Sequence, residues 1–499
     1  MNVHRRHVLK VGAAAGAGLV AGCDASPGWN RLARQFESVP ETVVVPTEAE
    51  HDLAAHALNR LGYGWRPGDL DRVRALGVDE YIDEQLAPES IDDTACDVRA
   101  RRFESIHASA GDIFEYRKGV VERELFRHTL LRAVYSRRQL FESMVNFWTD
   151  HFNISIGKGE CAWFKTVDDR EVIRAHTLGN FRDLLRASAL SPAMLVYLDG
   201  KDNKKAEGEE GANENYAREL LELHTLGVHG GYTQQDVMEA ARCLTGWTIN
   251  DAWWRGRVEF REGQHDEGAK RVLGAEIPAG QGKKDLDRLL DIVVEHPATA
   301  RYLATKLCRR FVADEPSLEL IEQVASSFRD SKYEIKPMLR TLFASDEFRN
   351  ARVTRLKRPF RFIASALRAV DADTDGGERI HEWLQRMGNA PFNYPTPDGY
   401  PDEPLPWLGT LLWRWNFALK LTSNGIEGTQ IDLRRLARRF SASDQFDDLT
   451  GNVASYLLGR RPADVELAAL DEVLREVSDE GKRPTAAALV LASPAFQRY

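Results

Sequence analysis

The sequence predicts an all-α fold, one large multi-helix domain with a small β excursion near 248–273, on three observations. Apolar residues recur at three- and four-residue spacing through most of the chain after about residue 48. Only Thr248 to Phe260 and Lys270 to Leu273 have strand-like composition. The 499 residues are 43% hydrophobic and 29% charged, the composition of a globular protein with enough chain for a large core.

The helical periodicity covers Glu50 to Asn59, Pro67 to Leu76, Val78 to Leu86, Glu122 to Phe152, Glu171 to Ala187, Asp285 to Phe311, Leu318 to Arg329, Lys336 to Phe343 and Pro359 to Val370. One echo is visible. Leu342-Phe343-Ala344-Ser345-Asp346-Glu347-Phe348 recurs as Leu491-Ala492-Ser493-Pro494-Ala495-Phe496, a helix ending at a serine cap with a phenylalanine packing back, and reads as the matching ends of two helical subdomains. Two copies are too few for a solenoid.

A net charge of −9 without a basic block argues against nucleic acid as a partner, and the arginine-rich helix Asp432 to Phe440 reads as a solvated face. Beyond Cys23, the cysteines Cys96, Cys161, Cys243 and Cys308 form no close pair, so thiolate zinc and redox motifs are excluded. Disulfides and buried free thiols both remain open for them.

Arg5-Arg6 precedes a weakly apolar Ala/Gly run, Val11 to Ala21, that ends in Val20-Ala21-Gly22-Cys23. This resembles a twin-arginine export signal over 1–22 with a lipoprotein box, in which Cys23 is lipidated. The run is too short for a stable membrane span. The alternative is a cleaved signal with an ordinary thiol at Cys23. Residues 23–47 read as a tether, and 48–499 as the helical domain. The expected location is outside the cytoplasm, lipid-anchored to a membrane.

Chemistry concentrates in Asn213 to Trp247. Asn213 caps a helix that Gly227 ends, Gly230-Gly231 turns the chain, and Thr233 with Asp236 forms a capping box for a second helix, so the stretch reads as a helical hairpin. On a regular wheel Asn215, Glu219, Glu222 and Leu226 share a stripe, with Arg218 beside it. That stripe is either a solvated face with an Arg218–Glu222 pair, or a buried polar cluster or metal-ligand face. His224 leans to the apolar side, as a hydrogen-bonded core histidine does. The preceding loop, Gly200 to Ala212, reads as a surface insertion or a lid.

Asn213-Glu214-Asn215, Ala217 to Gly227 and Leu244-Thr245-Gly246-Trp247 resemble the signature of the bacterial family catalogued as domain of unknown function 1800. So do His56 with Arg60, Gly62 and Gly64; Phe147 to Phe152; His176 to Leu185; Ser191 to Met194 with Tyr197 to Asp199; His265-Asp266 with Lys270 and Leu273-Gly274; and Ala492 to Gln497. The resemblance spans nearly the whole chain after the tether and implies no assigned reaction. It also implies a neighbour: members are often encoded beside an exported protein resembling alkaline phosphatases and sulfatases, which makes such a protein a candidate partner.

Within these blocks His151, His265, Glu219 and Glu222 are the candidate metal ligands, and Glu219, Glu222 and His224 the candidate catalytic groups. No His-Glu-x-x-His is present, nor a nucleophile elbow, phosphate loop or Rossmann glycine run. Separately, Asp371, Asp373, Asp375, Gly377 and Glu382 satisfy a calcium-loop pattern, although Glu378 and Arg379 depart from it and an Asp/Gly helix-capping turn is the alternative. The cofactor is open between a divalent metal and Ca2+. The expectation is an exported lipoprotein with a His/carboxylate-rich pocket, acting as a metal-dependent envelope enzyme; the alternative is a non-catalytic binding or assembly partner of the phosphatase/sulfatase-like protein.

Overall fold

The computed structural model describes residues 26–205, 211–250, 256–440 and 449–499; Arg5, Arg6 and Cys23 lie outside them. The described chain is mostly helical, with three two-stranded antiparallel ribbons. Trp247–Ile249 pairs with Val258–Phe260, Lys270–Val272 with Ala275–Ile277, and Asp373–Thr374 with Thr429–Gln430. The first two form the expected β excursion.

Local patterning places Val78–Leu86 at its expected bounds, whereas three periodic runs are broken, Glu171 to Ala187 among them at the turn before Asn180, which caps Phe181–Ala189. Glu122 to Phe152 falls into Lys118–Tyr135 and Gln139–His151, because the buried Asp93 carboxylate draws the linking residues out of the helix, accepting from Ser136 Oγ at 2.7 Å and Arg137 N at 2.7 Å. Asp285 to Phe311 divides at His296, which caps Pro297–Phe311 by accepting from Ala298 N. The C-terminal helices Leu411–Thr422, Leu449–Leu458, Asp464–Leu474 and Asp479–Ala492 complete the fold.

One contiguous apolar core runs from Val43 to Phe496. The two serine-capped turns do not separate subdomains within it: Ser345 Oγ accepts from Phe348 N, Ser493 Oγ accepts from Phe496 N, and both phenylalanines are buried in that core. All four described cysteines are buried free thiols. Among the described residues no helix is long and apolar enough to cross a membrane.

The described part of the expected tether, residues 26–47, is folded onto the body. Helix Ser26–Ala33 packs against Thr94–Ala100, Asn30 Nδ2 donates to Asp373 Oδ1 at 2.7 Å, and Arg34 pairs with Asp373 at 2.5 Å. Val43 and Val45 are buried. Their alternation is too short to stand out from a coil as a sequence pattern.

Candidate functional site

The hairpin forms as expected at its second helix, where Thr233 and Asp236 make a reciprocal capping box on Gln234–Cys243. The first arm differs from a regular helix. Asn215–Glu219 passes into a π turn, Leu220–Thr225, in which Leu226 N donates to Leu221 O at 2.9 Å and Thr225 Oγ1 donates to Leu220 O at 2.6 Å. The wider turn rotates the residues beyond it away from their places on a regular wheel. Leu226 is buried, while Glu219 and Glu222 remain half-buried and Asn215 is exposed.

Arg218 does not pair with Glu222. It reaches back to Glu214 at 3.1 Å and across the hairpin to Gln234 at 2.8 Å. Glu222 Oε2 accepts instead from Tyr232 OH at 2.7 Å. Burial, followed by repulsion from Glu222, raises the Glu219 carboxyl above its ordinary range; Asp398 adds to that repulsion. Burial also pushes the phenols of Tyr232 and Tyr302 up to about 12, with Glu222 reinforcing both.

Beneath these groups lies a chain of three. Lys306 Nζ donates to His151 Nδ1 at 3.1 Å, and His151 Nε2 lies 3.1 Å from the carbonyl of His224. A carbonyl only accepts, so His151 carries its proton on Nε2 and is neutral. Burial, then the Lys306 charge, takes His151 well below the usual histidine range. Burial likewise lowers Lys306, opposed by Asp402, Asp150, Asp398 and Glu403.

His224 is fully buried, packed at tilted ring angles among Phe152, His151 and Tyr216, with its pKa brought down to about 3 by burial and Lys306. Neither ring nitrogen finds a hydrogen-bond partner among the described residues. The residue is a core histidine, as its spacing indicates, but not a hydrogen-bonded one. The catalytic role expected for it is corrected, because the π turn faces its ring into the apolar core.

The four candidate metal ligands do not converge. Both nitrogens of His151 are already engaged, one by Lys306 and one by the His224 carbonyl. His265 sits in a different knot, with Nδ1 2.8 Å from Thr245 O and Nε2 3.1 Å from Asp285 Oδ2, which also takes Lys270 Nζ at 2.6 Å. That buried set joins the β excursion to helix Lys284–Glu295 and is structural. Among the described residues no three His, Cys, Asp or Glu side chains are arranged to hold a metal ion.

The calcium-loop reading is corrected on the same ground, because each carboxylate already faces a cation or a donor of its own. Asp371 pairs with Arg66, Arg435 and Arg439; Asp373 with Arg34; Asp375 with Arg127; and Glu382 with Arg379. Asp373 lies in a β ribbon and Glu382 in helix Glu378–Arg386, whose N-cap residue Gly377 supplies no side-chain cap, so the segment is neither a calcium loop nor the expected capping turn.

Sequence reasoning missed the loop that walls the site, Asn389 to Pro401. Asn153 Nδ2 donates to Tyr394 O at 3.1 Å and Thr396 O at 2.8 Å, Tyr197 OH donates to Pro395 O at 2.9 Å, and Ile156 N donates to Phe392 O at 2.9 Å. Gly399 has φ +73°, and a Cβ there would collide with the carbonyl oxygen of Asp150, so only glycine fits. Behind the loop Arg358 pairs with Asp150 at 2.5 Å and with Asp402 at 3.3 Å. Burial would raise Asp402, but Arg358, Arg310 and Arg355 hold it at about 2. The one signal was compositional: Pro, Gly and Tyr crowd the run from Pro391 to Pro404, as in a fixed irregular loop.

A family model described as Protein of unknown function (DUF1800) matches residues 56–498. The chain belongs to the DUF1800 family. No curated protein and no solved structure matches it. Within this DUF1800 chain, the family-like blocks Phe147 to Phe152, Tyr197 to Asp199 and Asn213 to Gly227 meet through His151 with the His224 carbonyl and through Asn215 with Leu198 and Asp199, and the loop carrying Asp398 reaches the same region.

Proposed function

We propose that this DUF1800 protein is an exported, lipid-anchored enzyme of the cell envelope that works by proton transfer at Glu219 and Glu222. The observation that carries the reading is the asymmetry of the two carboxylates. They lie one turn apart, Glu219 raised by burial and repulsion and Glu222 fixed by the Tyr232 hydroxyl at 2.7 Å. A carboxyl held above its ordinary range beside a hydrogen-bonded carboxylate suits proton donation. Glu219 takes the donor role beside Glu222, and Lys306 lies beneath the site. A divalent metal, the other reading of these carboxylates, would need further ligands from its substrate, because among the described residues the two glutamates meet no third ligand.

The exported, lipidated protein is to be assayed against glycosides, esters and phosphoesters. Turnover of one class, reduced ~10²- to 10⁴-fold in Glu219→Gln with loss of one limb of the pH profile, is the expected result. Stoichiometric metal that disappears in Glu219→Gln would return the site to metal-dependent chemistry. No turnover, with a phosphatase/sulfatase-like protein co-purifying, would favour the assembly role. Export itself is tested by replacing Arg5 and Arg6 with lysine, which should leave precursor in the cytoplasm, and anchoring by Cys23→Ala, which should abolish lipid labelling.

A further inference from the structure

Leu405–Thr410 and Leu411–Thr422 form a continuous helical ridge with one face packed and the other bare. Trp407, Thr410, Arg414, Phe417, Ala418 and Leu421 are buried, chiefly against helix Asp479–Ala492. On the outer face Leu405 is 76% exposed, Leu412 66%, Trp415 56% and Leu419 51%, with Leu408 and Leu411 exposed between them. This three- and four-residue spacing draws a single apolar stripe. A water-facing helix does not ordinarily carry four leucines and a tryptophan in line, and contiguous apolar surface of this kind marks a place of contact.

Three observations identify the contact. The stripe is leucine and tryptophan with no carboxylate inside it, and Lys420 and Arg386 stand at its edge, Arg386 laid over Trp383 at 5.2 Å and Trp413 at 5.5 Å. That is the side-chain set of a helix lying in a bilayer interface, with apolar groups inward, indoles at headgroup level and cations toward phosphate.

The two strands that flank the stripe in sequence are tied to the start of the described chain. Asn30 and Arg34 hold Asp373, and the strand Asp373–Thr374 pairs with Thr429–Gln430. Between those two strands in sequence come Glu378–Arg386 and Leu411–Thr422, joined through Trp383 against Trp413 and Phe417.

Finally, Cys23 stands three positions before Ser26, a reach of ~10 Å at most. A lipid on Cys23 would therefore hold helix Ser26–Ala33, and the Asp373 ribbon it contacts, near the membrane rather than at the end of a long tether.

The geometry points to a second membrane contact: the Leu405, Leu408, Leu412, Trp415 and Leu419 face lies in the surface of the bilayer that carries the anchor, fixing the orientation of the body. The inference rests on the lipid-anchor part of the proposed function for its geometry, but its test does not need the lipid.

Full-length Cys23→Ala protein, and the same protein with Leu405→Glu, Leu412→Glu and Leu419→Glu, are mixed with vesicles of phosphatidylethanolamine and phosphatidylglycerol, with and without brominated acyl chains. The three leucines are exposed, so unchanged denaturant midpoints should confirm that the triple variant is folded. Any contribution of the export signal is common to both proteins and cancels. Bromine quenching of the parent's tryptophan fluorescence, with vesicle binding weakened about tenfold or more in the triple variant, is the expected result. Equal partition of the two proteins overturns the inference, as does a parent that ignores vesicles but dimerises, or holds a second exported protein, through the same leucines. Failure of lipid labelling at Cys23 with stripe-dependent vesicle binding intact would count against the anchor alone.

Discussion

Arg361 lays its guanidinium 4.5 Å from the ring centre of Tyr499, and Arg60 lies 4.8 Å from the same ring. Arg355 and Arg310 complete the cationic surroundings, and against the opposing effect of burial the four arginines bring the phenol down to about 8. An acid whose folded pKa is depressed contributes stability that is complete above its unfolded pKa, ordinarily about 10, and lost as pH falls through the folded value. Stability should therefore rise between about pH 8 and 10, by up to about 2 kcal/mol from Tyr499. Lys357, which burial brings down to about 7, contributes with the same sign over that range. The difference between the parent and Tyr499→Phe isolates the tyrosine. Urea unfolding at stepped pH together with tyrosinate absorbance checks both parts, and equal slopes for the two proteins would refute the effect.

In the knot beneath the β excursion, Lys270 and His265 share Asp285 in the dry interior. Asp285→Ala leaves the Lys270 ammonium buried with the carbonyls of Asp266 and Gly268 and with the Asp266 carboxylate no nearer than 4.0 Å, and should cost about 3 kcal/mol or more. Replacing the pair together, Lys270→Met with Asp285→Leu, should recover most of that loss, because removing both buried charges also removes their desolvation cost. Denaturant titration of the single and double variants measures the recovery directly.

Gly399→Ala should disturb the loop that carries Asp398. The new methyl meets the Asp150 carbonyl at a φ that alanine avoids, so the loop must lift. A loss of about 2 kcal/mol or more, with faster proteolysis between Pro391 and Pro404, is expected. Wild-type protease resistance in a stable alanine variant would show that the loop is not pinned there.

Calcium should leave the melting temperature unchanged up to millimolar concentration. Arginines already neutralise Asp371, Asp373 and Asp375, and nothing draws Glu382 to the same point. Any native-state ligand must raise the transition by mass action, so a saturable rise abolished in Glu382→Gln would restore the calcium loop.

Local features were the legible ones in the sequence. The Thr233–Asp236 box, the Ser345 and Ser493 turns and the bounds of Val78–Leu86 depend on residues within a turn of one another. The break at Ser136 depends on Asp93, more than a helix away, and no window over Glu122 to Phe152 contains it. The same applies to the site. Glu219 and Glu222 could be picked out as a pair, but the π turn that aims His224 inward changes the wheel itself. Lys306 and Asp398 reach His151 and Glu219 only after helix Pro297–Phe311 and the proline-rich loop have docked.

The packing of residues 26–47 bears on how the native state is reached. Ser455 Oγ meets the carbonyl of Pro46 and His51 meets that of Leu458, across 409 and 407 positions, while Asn30 spans 344 to Thr374. Contacts of such separation repay their loop-closure entropy only late, so the earliest helices to be synthesised wait for partners among the last. Refolding from denaturant should accordingly pass through aggregation-prone intermediates, and fragments cut near the middle of the chain should not fold as two independent halves.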